Sequence, residues 1–149
     1  TCALPIWIIC GSVAVDNREE FSSWLSQFGP SRIILGADVR DGKVATHGWL
    51  KDSGLSLEQL MSWYVPQGLS QMICTDISKD GMLQGPDFCF YSVLMDAWQS
   101  VDITRGGGIS CMADICKAAE VGLHSVIVGK AIYEGKISLK DIESWLLKG

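Results

Sequence analysis

Five short apolar runs of strand type, residues 6–10, 33–37, 72–74, 101–104 and 126–128, alternate along this chain with segments of helical period. That alternation narrows the fold more than any other feature, because it is the sequence signature of βα units joined through a parallel sheet. After the first run, Asp16 is placed to cap a helix in which Phe21, Trp24, Leu25 and Phe28 recur at i, i+3, i+4 and i+7, and Gly29-Pro30 ends it. After the second, Asp41-Gly42 marks a tight reversal and predicts a small hairpin over 39–45. Ser56 and Gln59 carry the capping-box spacing that opens a helix through Tyr64, and Pro66 with Gly68 closes it. Tyr91, Leu94, Met95 and Trp98 share one helical face. Ser110 is placed to cap the next helix, which ends near Gly122, and Gly129-Lys130-Ala131 begins a short one. Ser138 and Asp141 open the last, through Leu147.

Two architectures accommodate this pattern, an open doubly wound sheet and a closed barrel. No G-x-G-x-x-G follows the first strand, which weighs against a dinucleotide-binding sheet. Polar and glycine signals recur instead at the C-terminal end of every strand, near Ser12, Asp38, Thr75, Gly106 and Gly129, where barrels keep their active sites. Their spacing is close to a βαβ repeat of roughly 30 residues. A full (βα)₈ barrel takes roughly 250 residues, so a chain of 149 is expected to hold about half of one. Residues 1–5 look foreign to that fold, and 6–10 read as a strand with nothing before it. Residues 1–10 are therefore expected to be a foreign or truncated start, and 11–149 the half-barrel.

With 48% apolar and 19% charged residues, the composition is that of a soluble globular domain and not of a disordered chain. The six cysteines, Cys2, Cys10, Cys74, Cys89, Cys111 and Cys116, form no C-x-x-C pair and stand mostly inside apolar runs. They are expected to be free thiols in a reducing, cytoplasmic compartment, with no metal site. A net charge of −5 and no Lys/Arg cluster on any predicted face argue against nucleic acid as a partner. The apolar first ten residues have no basic segment ahead of them and are too short to span a bilayer as a helix, so no membrane partner is expected.

Gly106-Gly107-Gly108 after one strand and Gly129-Lys130-Ala131 after the next suit one phosphate held by backbone N–H groups, since only glycine lets a backbone approach so closely. Either motif alone is more often a plain turn. The two in this order, after the last two strands, point to a barrel phosphate site. Asp38 ends an otherwise apolar strand, where an unpaired carboxylate is costly unless it faces a polar cavity. It reads either as a proton shuttle at the rim or as a loop cap before the reversal. Thr75 and Asp76 end the next strand in the same way, and Asp80-Gly81 reads equally as a turn. His47 and Trp49 stand in a loop above the sheet, the tryptophan as a lid over a planar ligand or as a hydrophobic plug. His124 precedes the last strand at the opposite end and receives no role.

In order along the chain, GADVRDGKVATHGWL (36–50), TDISKDGMLQGPD (75–87), GGGIS (106–110) and VIVGKAIYEGK (126–136) resemble the phosphoribosylformimino-5-aminoimidazole carboxamide ribotide isomerases of histidine biosynthesis. The resemblance runs from about 11 to 147. It implies the C-terminal half of a (βα)₈ barrel, beginning with a remnant of the fourth strand and needing an N-terminal half-barrel as its partner. It implies a substrate with a phosphate at each end, carried through an Amadori rearrangement without metal or organic cofactor. Asp38 then matches the fifth-strand member of an acid/base pair whose other aspartate ends the first strand, and Thr75 a threonine that supports catalysis. Substrate-binding positions are matched by Ser12 at one phosphate, by His47, by Trp49 as the covering aromatic and by Asp80 as a loop acid. Gly107, Gly108, Gly129 and Lys130 match the cradle of the other phosphate. Three positions depart from the pattern: Gly106 stands where Ser or Ala is common, Arg105 where a small residue is usual, and His47 where Arg is frequent. Two further readings fit the residues. One is the sister cyclase of imidazole glycerol phosphate synthase, whose loop after Asp38 differs; the other is a non-catalytic half-barrel that binds phosphate or pairs with a partner half.

Overall fold

In the computed structural model, residues 6–147 are described apart from 84 and 86, so the expectation for residues 1–5 lies outside the described residues. Strand β1 (Ile8–Cys10) is followed by one helical turn, α1 (Val13–Asp16), and by α2 (Arg18–Phe28). The helix expected to start at Asp16 is thus divided. Asn17, in a non-helical conformation, is the cap of α2, and its side chain accepts from the Glu20 N–H at 3.2 Å, whereas Asp16 ends α1.

Strand β2 (Ile33–Arg40) runs three residues past its expected end. Asp41 and Gly42 both take left-handed backbone, the requirement of a tight hairpin turn, and β3 (Lys43–Thr46) returns antiparallel. A further antiparallel strand, β4 (Lys51–Ser56), continues the hairpin where none was expected, because its sequence KDSGLS has little strand character of its own and takes its conformation from pairing with β3. Helix α3 (Leu57–Tyr64) opens on the complete Ser56/Gln59 capping box and closes through a 3₁₀ turn, Val65–Gln67, at Gly68.

Strands β5 (Gln71–Asp76) and β6 (Asp102–Gly106) flank α4 (Phe88–Ala97), and α5 (Met112–Glu120) leads to β7 (Ser125–Val126). The cap position of α5 is Cys111, not Ser110, because the Asp114 carboxylate in the first turn takes the Ser110 hydroxyl and both preceding N–H groups. β7 is shorter than the apolar run 126–128, although the Ile127 N–H still donates to the Arg105 carbonyl at 2.8 Å. One turn of helix, α6 (Lys130–Tyr133), and α7 (Leu139–Leu146), with its Ser138/Asp141 capping box, complete the described chain.

The fold is α/β with a mostly parallel sheet. β1, β2, β5, β6 and β7 lie side by side in chain order, each parallel to the next, and the β3–β4 hairpin continues from the upper part of β2. A doubly wound sheet reverses its strand order at a switch point; among the described residues this one does not. Alternate residues of a strand face opposite sides, and Ile33, Leu35, Ala37, Met72, Cys74 and Ile103 are buried on the same side, against the helices. There Phe21 and Tyr64 meet with ring centroids 4.4 Å apart, and the Tyr64 hydroxyl donates to the Ala14 carbonyl at 2.5 Å, tying α3 to α1. Ile109, Ile115, Ala131 and Ile137 form a second, smaller cluster. The opposite face of the sheet carries Ile9, Ile34 and Ile73, which line an open groove of about 470 Å³.

Candidate active site

The parallel register sets Asp38 of β2 beside Thr75 of β5, and Thr75 beside Gly106 of β6. All three occupy the alternate positions that face away from the helices, at the C-terminal ends of their strands. Gly106 leaves room for this arrangement, since a Cβ there would come within 2.6 Å of Thr75 Oγ1. Asp38 Oδ2 accepts a 2.8 Å hydrogen bond from the indole Nε1 of Trp49.

Trp49 reaches Asp38 because the turn between β3 and β4 is built from three consecutive residues of positive φ, His47 (56°), Gly48 (65°) and Trp49 (71°). Left-handed backbone costs a non-glycine residue about 1–2 kcal/mol, so other contacts must hold the loop. The His47 N–H donates to Ser12 Oγ at 3.0 Å, and His47 Nε2 lies 3.5 Å from Asp16 Oδ2. Ser12, His47, Trp49 and Asp38 therefore form one connected group that ties the loop after β1 to the end of β2. Trp49 remains 42% exposed while its indole holds Asp38. Cys74 lies beneath this row, and burial, with the Asp76 and Asp38 carboxylates adding to it, pushes its thiol up to about 12.

A second group surrounds a cavity of about 80 Å³ lined by Asp80, Gly81, Gly107, Gly108, Gly129 and Lys130 among others. Gly107 and Gly108 have φ of 81° and 78°, and a Cβ on Gly107 would lie 3.2 Å from the Asp76 carbonyl oxygen. The backbone N–H groups of Gly107, Gly108 and Gly129 donate to no acceptor among the described residues. Lys130 Nζ is engaged, donating to the Gly81 carbonyl at 3.0 Å and lying 3.6 Å from Glu134. Thr75 joins the two groups through its register with both Asp38 and Gly106. His124, outside both, lies 3.7 Å from Asp102.

Arg105 was legible in the sequence only as an unusual charge. Its side chain is fully buried between β6 and the helices, over the Tyr91 ring at 5.1 Å, and Nη2 donates to the Gly107 carbonyl. Burial pushes its guanidinium below the ordinary value, while Tyr91, Asp114 and Asp76 work in the opposite direction. The Tyr91 hydroxyl spans the tops of β5 and β6, 2.9 Å from the Cys74 carbonyl and 3.3 Å from that of Gly106. Among the described residues no three His, Cys, Asp or Glu side chains gather as metal ligands, and no helix is long and apolar enough to cross a membrane.

A family model described as "Histidine biosynthesis protein" matches residues 6–138. The chain is 47% identical over 135 residues to the 1-(5-phosphoribosyl)-5-((5-phosphoribosylamino)methylideneamino)imidazole-4-carboxamide isomerase of Cytophaga hutchinsonii, covering 91% of this chain and 56% of that protein. The proteins of the same name from Flavobacterium johnsoniae and Parabacteroides distasonis are 46% and 47% identical over 137 and 132 residues. Those alignments cover 92% and 89% of this chain against 57% and 55% of the relatives. The chain thus spans little more than half the length of the curated relatives it matches.

Proposed function

This chain belongs to the histidine biosynthesis protein family, and from that premise we propose that it serves as the C-terminal half of a (βα)₈ barrel that isomerises a ribonucleotide-linked aminoaldose to its aminoketose. Residues 11–149 make up the half-barrel in this reading, and the remaining share of the relatives' length corresponds to an N-terminal half-barrel partner. The substrate class, a small molecule with a phosphate at each end, agrees with the two phosphoribosyl groups in the relatives' name. The supporting observation is the row Asp38–Thr75–Gly106 across three adjacent strand ends, with the glycine-lined cavity directly beyond it.

The chemistry needs a proton given to the ring oxygen of the aminoribose as the C1–O bond breaks, a proton taken from C2 to form the enolamine, and a proton returned to C1 as the C2 hydroxyl loses its own to become the ketone. Two acid/base groups on opposite sides of the substrate can shuttle these protons. Asp38 is assigned one of these roles and Thr75 its support; the other acid/base group belongs to the partner half. Phosphate held at Gly107, Gly108, Gly129 and Lys130 fixes one end of the substrate and brings C2 into register with Asp38. Ser12 and His47 act toward the other phosphate, and Asp80 orders the loop over the cavity. Trp49 exchanges its bond to Asp38 for stacking over the substrate, which excludes water. The described cysteines are free thiols, which suits a cytoplasmic setting.

The test is complementation. Expressed with the complementary part of the Cytophaga hutchinsonii relative, the chain is expected to rescue an isomerase-deficient histidine auxotroph, and alone it is not. No rescue from a pair shown to be soluble and associated would overturn the proposal.

A further inference from the structure

We propose that Arg105 is a positioning residue for the glycine cradle, aiming the Gly108 N–H into the cavity and setting a positive charge behind it. The inference rests on the phosphate reading above. Its first support is peptide geometry. Arg105 Nη2 donates to the Gly107 carbonyl from the buried side of the loop. In a trans peptide the carbonyl and the following N–H point in opposite directions. A Gly107 carbonyl held toward the helices therefore sends the Gly108 N–H the other way, toward the cavity that both glycines line. The guanidinium sits immediately behind this peptide, since a Cβ on Gly108 would come within 2.9 Å of Nη2.

The second support is the unbalanced charge. Arg105 has no solvent exposure, yet Nε and Nη1 have no hydrogen-bond partner among the described residues. No carboxylate among them lies within ion-pair distance of it, and the nearby Tyr91 hydroxyl is directed at the Cys74 and Gly106 carbonyls. A buried charge left without a partner is strongly unfavourable. The Tyr91 and Phe88 rings, with centroids 5.1 and 5.9 Å away, offset part of that cost. An anion on the other side of the Gly107–Gly108 peptide adds to the opposite charge of Asp76 and Asp114, neither of them at ion-pair distance, through one layer of poorly solvated backbone, where attraction is weakly screened. Arg105 does not line the cavity and does not touch the ligand; it acts through the peptide it holds.

The probe is inorganic phosphate, titrated into the isotope-labelled chain held with the unlabelled complementary half, while the Gly107, Gly108 and Gly129 amides are followed by NMR. The Gly108 amide proton is expected to move downfield at saturation. Arg105→Met should weaken phosphate binding on the order of tenfold or more, and Arg105→Lys, which keeps the charge and a donor, should recover part of the loss. A merely structural role would not give that graded response in affinity at equal stability. If the unmodified chain binds phosphate at these amides and Arg105→Met binds it equally well, the positioning role fails while the cradle stands. If the amides of the unmodified chain do not respond at all, the cradle reading fails first. Should Arg105→Met not fold, the unmodified chain still decides: a Gly108 proton that stays in place while those of Gly107 and Gly129 move overturns the inference.

Discussion

The Trp49 indole and the Asp38 carboxylate are joined at 2.8 Å across the mouth of the β2–β3 hairpin, so the proposed proton-transfer group is already hydrogen-bonded. Asparagine in place of Asp38 keeps an oxygen that accepts from the indole but cannot take a proton. In the reconstituted barrel, Asp38→Asn is expected to lower kcat on the order of 10²–10⁴-fold. Unfolding stability should fall by no more than about 1 kcal/mol, since the bond from the indole becomes one to a neutral acceptor. Steady-state kinetics showing less than a tenfold loss would remove Asp38 from the acid/base role.

Gly107→Ala tests the cradle from its backbone. At φ 81° a side chain is strained by about 1–2 kcal/mol. The new Cβ would also press on the Asp76 carbonyl at 3.2 Å and on Asp80 at 3.3 Å. Denaturant unfolding should report a loss of about 1–3 kcal/mol, and phosphate affinity should fall with it. Unchanged affinity in a folded variant would show that the loop does not hold the anion.

Asp114 supplies a pH test. Burial alone would raise its carboxyl, but the Ser110 hydroxyl at 2.7 Å and the Ser110 and Cys111 N–H groups at 2.8 and 3.2 Å outweigh burial and hold it below the ordinary carboxylate value. A depressed folded pKa means stability that is present above the unfolded value and is lost as pH falls through the folded one. Asp114→Asn should therefore cost about 1 kcal/mol near neutrality, and the gap to the unmodified chain should close in acid. Urea unfolding at several pH values between 7 and 2.5 checks this; a gap independent of pH would contradict it.

The groove opposite the helices predicts how the chain behaves by itself. Trp7, Ile9 and Ile127 are 55%, 60% and 45% exposed along it. Exposed apolar surface of this kind drives association. Light scattering is expected to find dimers or larger species, converted to a one-to-one complex when the complementary half is added. Ile9→Lys should reduce the self-association. A monodisperse monomer of the unmodified chain would count against it.

Where local chemistry sets a structural boundary, the sequence was readable: the Ser56/Gln59 and Ser138/Asp141 capping boxes and the Asp41-Gly42 turn are decided by residues within three positions of one another. The choice between Asp16 and Asn17 as a cap was not, because both side chains can accept from a first-turn N–H and the difference lies in backbone angles that tertiary packing sets. β4 was invisible for the same kind of reason, being a polar, glycine-containing segment that is a strand only through its partner. Within the site, Asp38, Thr75 and the glycines announced themselves as breaks in apolar runs. The Trp49–Asp38 bond depends on a left-handed turn that non-glycine residues rarely form, and the burial of Arg105 depends on aromatic rings from α4 that no spacing rule places under β6.

The sequential order of the parallel strands has a consequence for how the molecule is made. Each ladder joins a strand to its predecessor in the parallel series, separated by the helix between them and, after β2, by the hairpin as well. Every such closure spans only the segment just made, and because closure entropy grows slowly with length its cost differs little from one strand to the next. During synthesis a strand can therefore dock as soon as it emerges, on a neighbour that is already waiting. The direction of translation and the order of strands across the parallel sheet are the same, so the segment carrying Gly107, Gly108 and Gly129 is synthesised last, after Asp38 and Thr75.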